Sequence, residues 1–194
     1  MKISSEGLQL CAGIRGLKSI KGFKTVEIDE NILKTKAQSI RQELFDEKMI
    51  VTKTDDESSL VFSALGELII SVLSQPDVWL SFENKEVCRY VHIKDEIYIY
   101  TVLIEGSYYI TLLPALPLVF GACADAMDDN EKTVYVEGES NNTVLKLTID
   151  KGEISVIEDG SGKTEEEDEL FINKLIQWII YGLKDVERKG VMQA

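Results

Sequence analysis

The residues that come closest to a catalytic motif are Gly160 to Thr164, which read Gly-Ser-Gly-Lys-Thr. They follow a predicted strand and precede a predicted helix, which is the setting of a phosphate-binding loop. The complete motif needs a glycine where this chain has Ile157, and residues 165–169 are all acidic and would repel a triphosphate. We therefore expect a flexible turn that leads into a helix, and no cofactor. A small nucleotide-binding protein that uses the 160–164 loop stays an alternative.

Other groups that could bind a metal or transfer a proton are sparse. Asp125, Asp128, Asp129 and Glu131 lack the alternating acids and the central glycine of a calcium loop, so they predict a solvated helix end. The chain has one histidine, His92, which is then the sole candidate for any histidine-based acid–base chemistry. We predict neither a metal site nor an enzyme.

Composition and length indicate an ordinary folded protein. The chain has 194 residues, of which 44% are hydrophobic and 28% are charged, and this suits one domain over residues 1–194. Cys11, Cys88 and Cys123 are far apart and have mostly apolar neighbours, which predicts small buried thiols. No apolar run approaches the roughly 20 residues that span a bilayer. The N-terminus does not resemble a signal peptide, so we expect a cytoplasmic protein without membrane insertion.

The negative charge is concentrated in the second half of the chain. The net charge is −13, and between residues 125 and 170 fifteen Asp and Glu stand against four Lys, a balance of −11. Such a protein is repelled by phosphate backbones at long range, so we expect no nucleic-acid partner. The acidic region is either a solvated face that keeps the protein soluble or a docking surface for a basic partner.

The elements that must position these residues form an α+β pattern. In chain order we predict a mainly helical part over 1–76 with helices at 5–15, 29–47 and 58–74, a four-stranded meander over 77–113, a helix over 114–127, a three-stranded meander over 133–157, and a C-terminal helix over 164–189. The connections within each meander are too short for crossovers, so the strands are antiparallel. A helix followed by a meander occurs twice, which suggests by topology alone a repeated unit.

Aromatic residues are concentrated on the first meander. Trp79, Tyr90, Tyr98 and Tyr100 are our candidate partner-binding residues, because Tyr and Trp offer a large contact area together with a polar group. Strands also favour aromatic residues for packing alone, so ordinary packing under helices is the competing interpretation. The strand over 96–105 is apolar on both faces, which predicts that both of its faces are covered.

Residues 62–127 share a layout with a known family. An apolar helix over 65–73 stops at Pro76, a strand with an arginine follows at 87–90, a strand pair surrounds Gly106, and a helix follows Leu112-Leu113-Pro114. This layout resembles the EspG-type chaperones of type VII secretion. The resemblance implies an antiparallel sheet with helices in two related halves. It also implies that the protein binds the end of a helical-hairpin secreted protein in the cytosol and keeps it soluble.

The sequence therefore predicts a non-enzymatic cytosolic chaperone or adaptor for a helical-hairpin secreted protein. Shielding of an apolar helical tip would be its mechanism, with affinity from buried aromatic rings and selectivity from the acidic region. Whether the protein forms a homodimer stays an open question. The alternative from another class is a winged-helix-like regulatory protein built on residues 29–75, which the charge disfavours.

Overall fold

The computed structural model describes residues 1–17, 19–23, 30–53, 56–127, 133–140, 143–150 and 153–158. In chain order the elements are β1 (Lys2–Ser4), α1 (Ser5–Ile14), α2 (Glu30–Asp46), β2 (Ile50–Lys53), β3 (Asp56–Phe62), α3 (Ala64–Ser74), β4 (Val78–Glu83), β5 (Cys88–Lys94), β6 (Ile97–Ile104), β7 (Ser107–Leu113), α4 (Leu116–Met127), β8 (Thr133–Ser140), β9 (Thr143–Asp150) and β10 (Glu153–Glu158). The α+β fold is confirmed. The predicted C-terminal helix over 164–189, the 160–164 loop and the acids at 128, 129 and 131 lie outside the described residues.

The two predicted meanders, with β1 added beside β7, form one antiparallel sheet of eight strands. Its order is β1-β7-β6-β5-β4-β8-β9-β10, so the first strands of the two meanders, β4 and β8, pair with each other. This pairing hydrogen-bonds the edge that β4 would otherwise expose, and an unpaired edge is a site for aggregation. The hairpin of β2 and β3 is a separate two-stranded sheet.

Each face of the sheet has its own apolar cluster, because side chains alternate along every strand. On the face that we call the α3 face, Leu73 of α3 and Cys11 of α1 belong to a cluster with Tyr90 and Ile99. On the opposite face, the α4 face, Cys123 and its neighbours in α4 pack with strand residues of both meanders. Both faces of the sheet are covered at β6, which explains why this strand is apolar on both sides: Ile99 belongs to the first cluster, and Tyr98 and Tyr100 pack against the second.

The third helix begins later than the pattern predicts. We expected it from residue 58, but residues 56–62 form β3 and pair with β2. The helix starts at Ala64, because the hydroxyl of Ser63 accepts a hydrogen bond from the backbone N–H of Gly66 and caps the first turn. The first helix begins at Ser5 as predicted, and Ser4 is its N-cap residue. The helix over 114–127 is confirmed as α4.

An approximate two-fold axis relates the strands of the two helix–meander units, but it does not relate their helices. The axis is normal to the sheet and passes between the paired residues Ser81 and Glu137, so it relates each residue of β4 to the residue 56 positions later in β8. Around it, β5 corresponds to β9. However, α3 and α4 lie on opposite faces, whereas a two-fold axis normal to the sheet would keep them on one face. The repeated helix–meander order is therefore present in the chain, with symmetry in the strands only.

Candidate functional site

Among the described residues, no helix covers the part of the α3 face over β4, β8 and β9. Three rows of side chains cross these strands here: Trp79–Glu139–Val144, Ser81–Glu137–Lys146 and Glu83–Tyr135–Thr148. The side chain of Tyr135 is 58% exposed and that of Val144 is 44% exposed. We call this surface the open face. It contains a trough of about 420 Å³ whose lining includes Phe23, Trp79 and Tyr135.

The wall of the trough toward the covered half of the sheet is the segment Ile20–Phe23. Its anchor is Phe23, a buried residue whose ring meets that of Tyr90 edge-on at 4.4 Å between centroids and that of His92 at 5.0 Å. Next to it, Gly22 has a φ of +76° and lies so close to Trp79 that an added Cβ would be 2.5 Å from Cε3 of the indole. Glycine is needed here both for the left-handed backbone and for the close approach.

Hydrogen bonds fix the same segment to the sheet. The ring of His92 is fully buried, and its Nε2 donates to the backbone carbonyl of Lys21 at 2.7 Å. The ammonium of Lys21 donates to Glu139 Oε2 at 2.9 Å, and Nε1 of Trp79 donates to the same oxygen at 3.2 Å. One carboxylate at the rim of the open face therefore holds both an indole and a lysine.

Two titrating groups of this network have displaced pKa values. Burial lowers the pKa of His92 to about 4, against an ordinary value of 6.5, so the ring is neutral at pH 7. The hydrogen bond from Lys21, with a smaller contribution from that of Trp79, holds the pKa of the Glu139 carboxyl below its ordinary value. In the middle row, Lys146 Nζ and Glu137 Oε1 form an exposed ion pair at 3.3 Å. The first and middle rows of the open face thus carry charged side chains that are paired with each other or with Lys21.

The four residues predicted to bind a partner do not form one surface. Trp79 is half-buried on the open face. Tyr90 is 0% exposed beneath Phe23, so its ring belongs to the core and contacts no partner in this conformation. Tyr98 and Tyr100 are half-buried on the α4 face, where burial raises the pKa of both phenols. Whether Trp79, Tyr98 and Tyr100 bind a partner stays a prediction.

Tyr135 is the aromatic residue of the open face that the sequence reasoning did not single out. It lies in the second meander, away from the aromatic cluster of the first. A signal was present: β4 reads Val-Trp-Leu-Ser-Phe-Glu and the corresponding residues 134–139 of β8 read Val-Tyr-Val-Glu-Gly-Glu. The two segments share the valine, an aromatic residue and the final glutamate. The offset of 56 residues that aligns them follows from the strand register.

The cysteines and the possible metal ligands form no reactive cluster among the residues that the structure describes. Cys11 and Cys123 are buried as predicted, and burial raises the pKa of each thiol to about 12, whereas Cys88 is half-buried. Within the described ranges, no group of three or more His, Cys, Asp or Glu side chains is placed to hold a metal ion. In the same ranges, every helix is too short or too polar to cross a membrane.

No protein-family model matches this chain, and no curated protein matches it.

Proposed function

We propose that this protein is a non-enzymatic cytosolic chaperone or adaptor that holds a helical segment of a secreted partner on its open face. The observation that carries the proposal is the open face itself, a concave surface with two aromatic walls on a sheet whose other half is covered on both sides. The resemblance to the EspG-type chaperones of type VII secretion suggests the class of partner, a helical-hairpin secreted protein.

The spacing of the rows supports a helical ligand. Trp79 and Glu83 are four residues apart on β4, so the first and third rows are about 14 Å apart at the strand rise of roughly 3.4 Å per residue. An α-helix with its side chains is about 10–12 Å across. A helix that crosses the strands between the Trp79 row and the Tyr135 row would therefore lie over the middle row, above Ser81 and the exposed ion pair of Glu137 and Lys146. Ser81 in the middle row has a small side chain and is 5% exposed, so the trough is deepest above it.

The chemistry of the walls supports binding rather than catalysis. Aromatic rings at the centre of an interface contribute most of its affinity, and truncation of such a residue costs roughly 1–2 kcal/mol or more. Tyr135 is 58% exposed and would lose water contact under a bound helix. The charged rim formed by Glu139 and Lys21 gives the surface the polar border that protein interfaces have.

The direct test is co-expression with the small helical proteins encoded beside this chain, followed by affinity purification at moderate salt. We expect one of them to co-purify and to become more soluble than when it is expressed alone. Tyr135→Ala should weaken retention about tenfold, the loss of one aromatic contact. Tyr109→Ala is the matched control, because Tyr109 is 40% exposed but lies on the α4 face.

Two results would refute the proposal. One is that no helical protein co-purifies with the unmodified chain. The other is that Tyr109→Ala weakens retention as much as Tyr135→Ala, since binding would then not involve the open face.

A further inference from the structure

The segment Ile20–Phe23 is held on the sheet in the way that a bound peptide is held. It belongs to neither a helix nor a strand, and the N–H of Phe23 donates to the carbonyl of Ile20 at 3.2 Å, which closes a single turn. Its described contacts with the sheet come from an aromatic ring, an ammonium group and one backbone carbonyl. A buried aromatic anchor with a charged group at the rim is also the usual composition of a protein interface.

The aromatic anchor of the segment is Phe23. The centroid of its ring lies 4.4 Å from that of Tyr90, 5.0 Å from that of His92 and 4.9 Å from that of Tyr108. We call these three rings the ring pocket. Tyr90 and His92 are residues of β5 and Tyr108 is a residue of β7, so the sheet and not the segment positions the pocket.

A lysine two residues before the anchor makes the second contact. Lys21 Nζ lies 2.9 Å from Glu139 Oε2, and the indole Nε1 of Trp79 donates to that same oxygen at 3.2 Å. Between the two anchors, Gly22 has a left-handed φ and lies so close to the indole of Trp79 that a Cβ would collide with it. The surface therefore contacts three consecutive positions: a lysine, a residue without a side chain and an aromatic residue.

We propose that this surface is a recognition site for a Lys-Gly-aromatic segment of the partner, and that Ile20–Phe23 occupies the site in the chain without a partner. The inference rests on the proposed function, to which it adds the short sequence that the partner presents. A chain with a net charge of −13 attracts a basic segment at long range, and Glu139 supplies the local charge.

The position of the site allows a partner to replace the segment. Gly22, Phe23 and Trp79 line the trough of the open face, so the ring pocket opens into the trough when the segment leaves. A partner that fills the ring pocket and also lays a helix over the open face buries Tyr135, which is 58% exposed while the segment is bound. This additional contact favours the partner over the four-residue segment.

A synthetic peptide with the sequence of residues 17–25, Leu-Lys-Ser-Ile-Lys-Gly-Phe-Lys-Thr, tests the recognition. The peptide carries a fluorescent label, and its binding to the full chain with Phe23→Ala, which empties the ring pocket, is measured by fluorescence anisotropy. We expect at least about tenfold tighter binding than to the unmodified protein, whose own segment competes at the high effective concentration of a tethered ligand. Phe23→Leu is measured as well, because it keeps more of the packing, and thermal unfolding confirms that each variant is folded.

Two altered peptides separate this site from general attraction between opposite charges, because they keep all three lysines. Alanine in place of Phe23 removes the anchor and should weaken binding at least about tenfold. Alanine in place of Gly22 should weaken it as much, because its Cβ would lie 2.5 Å from Cε3 of Trp79.

A third altered peptide tests the lysine contact. Glutamine in place of Lys21 should weaken binding about threefold, the size of an exposed ion pair. The same replacement should cost nothing when the protein also carries Glu139→Gln, because the ion pair is then already absent. Glu105→Gln is the matched control: it removes the same charge from an exposed turn between β6 and β7 and should leave the affinity of every peptide unchanged.

The proposal is overturned if the unmodified peptide binds neither Phe23 variant, if it binds the unmodified protein as tightly as Phe23→Ala, or if the peptide without the Phe23 ring binds equally well. These results are distinct from failure of the proposed function. If a helical protein co-purifies and the peptide does not bind, the chaperone function stands and the recognition site is wrong. If peptide binding depends on the ring but no helical protein co-purifies, the recognition site stands and the chaperone function is wrong.

Discussion

Acidification should destabilise this fold through His92, the one histidine of the chain. Its ring is fully buried on β5, with the rings of Phe23 and of the cross-strand residue Trp79 as neighbours. Nε2 carries the proton, because its partner is the carbonyl oxygen of Lys21, and Nδ1 has no hydrogen-bond partner among the described residues. A second proton on Nδ1 would be a buried charge without a counter-ion nearby in that part of the structure.

The sign and size of the effect follow from the pKa. In the unfolded chain His92 has its ordinary pKa of 6.5, whereas burial in the folded chain lowers the pKa to about 4. The contribution of His92 to the free energy of unfolding is thus fully present above pH 6.5, and it is lost as the pH falls toward 4. At about 1.4 kcal/mol per pH unit, the loss is of the order of 3 kcal/mol in total and about 2 kcal/mol by pH 5.

Urea unfolding at pH 7.5, 6.5, 5.5 and 5.0 measures this contribution when the protein is compared with His92→Gln. The glutamine amide can donate to the carbonyl of Lys21 but does not titrate, and both proteins share all carboxylates and their repulsion. We expect the free energy of unfolding of the unmodified protein to fall by about 2 kcal/mol relative to the variant between pH 7.5 and 5.0. If the two pH profiles run parallel, the buried neutral histidine is not the cause of acid sensitivity.

Three further substitutions test the packing around α3, α4 and α1. Gly66→Ala should destabilise the fold by roughly 1–3 kcal/mol, because a Cβ there meets the backbone carbonyl of Met49. Gly121→Ala on α4 is the matched control: a Cβ there meets nothing, so this variant should be about 0.5–1 kcal/mol more stable than the unmodified protein. Equal urea midpoints for the two variants would contradict this. Glu43→Ala removes the acceptor for the backbone N–H and the hydroxyl of Ser4, at 2.6 and 3.0 Å, and should cost about 1–3 kcal/mol. Faster amide exchange at Ser4 should accompany it, and an unchanged exchange rate would refute the assigned hydrogen bond.

Local patterns predicted most elements because each has its own periodicity and its own boundary residues. The helix α4 was predicted within two residues of its start, since Pro114 limits it there. The strand β3 was missed because Leu60, Val61 and Phe62 continue directly into the apolar run of α3. A short apolar run fits a buried helix as well as a strand. The Ser63 cap and the pairing of Ile50 with Phe62 determine the boundary, and the pairing joins two consecutive strands of a hairpin.

The candidate site depended far more on distant contacts. Alternation along β4 placed Trp79 and Ser81 on one face from the sequence alone, and the apolar character of β6 predicted that both of its faces are covered. Alternation alone does not predict at which strands each face of the sheet is covered by other parts of the chain. Tyr90 is buried because Phe23 packs on it from a segment 67 residues earlier, whereas Trp79, two strand positions away on the neighbouring strand, borders an open trough.

What the sequence alone determined is therefore the type and order of most of the elements and the side of each strand on which a residue lies. The pairing of β4 with β8 was decided by the tertiary structure, because strand neighbours depend on how the whole chain buries its apolar surface and pairs its backbone. That one pairing brings Glu83 beside Tyr135 and Trp79 beside Glu139, and so creates the open face. Residues more than fifty positions apart carry no local signal of such proximity.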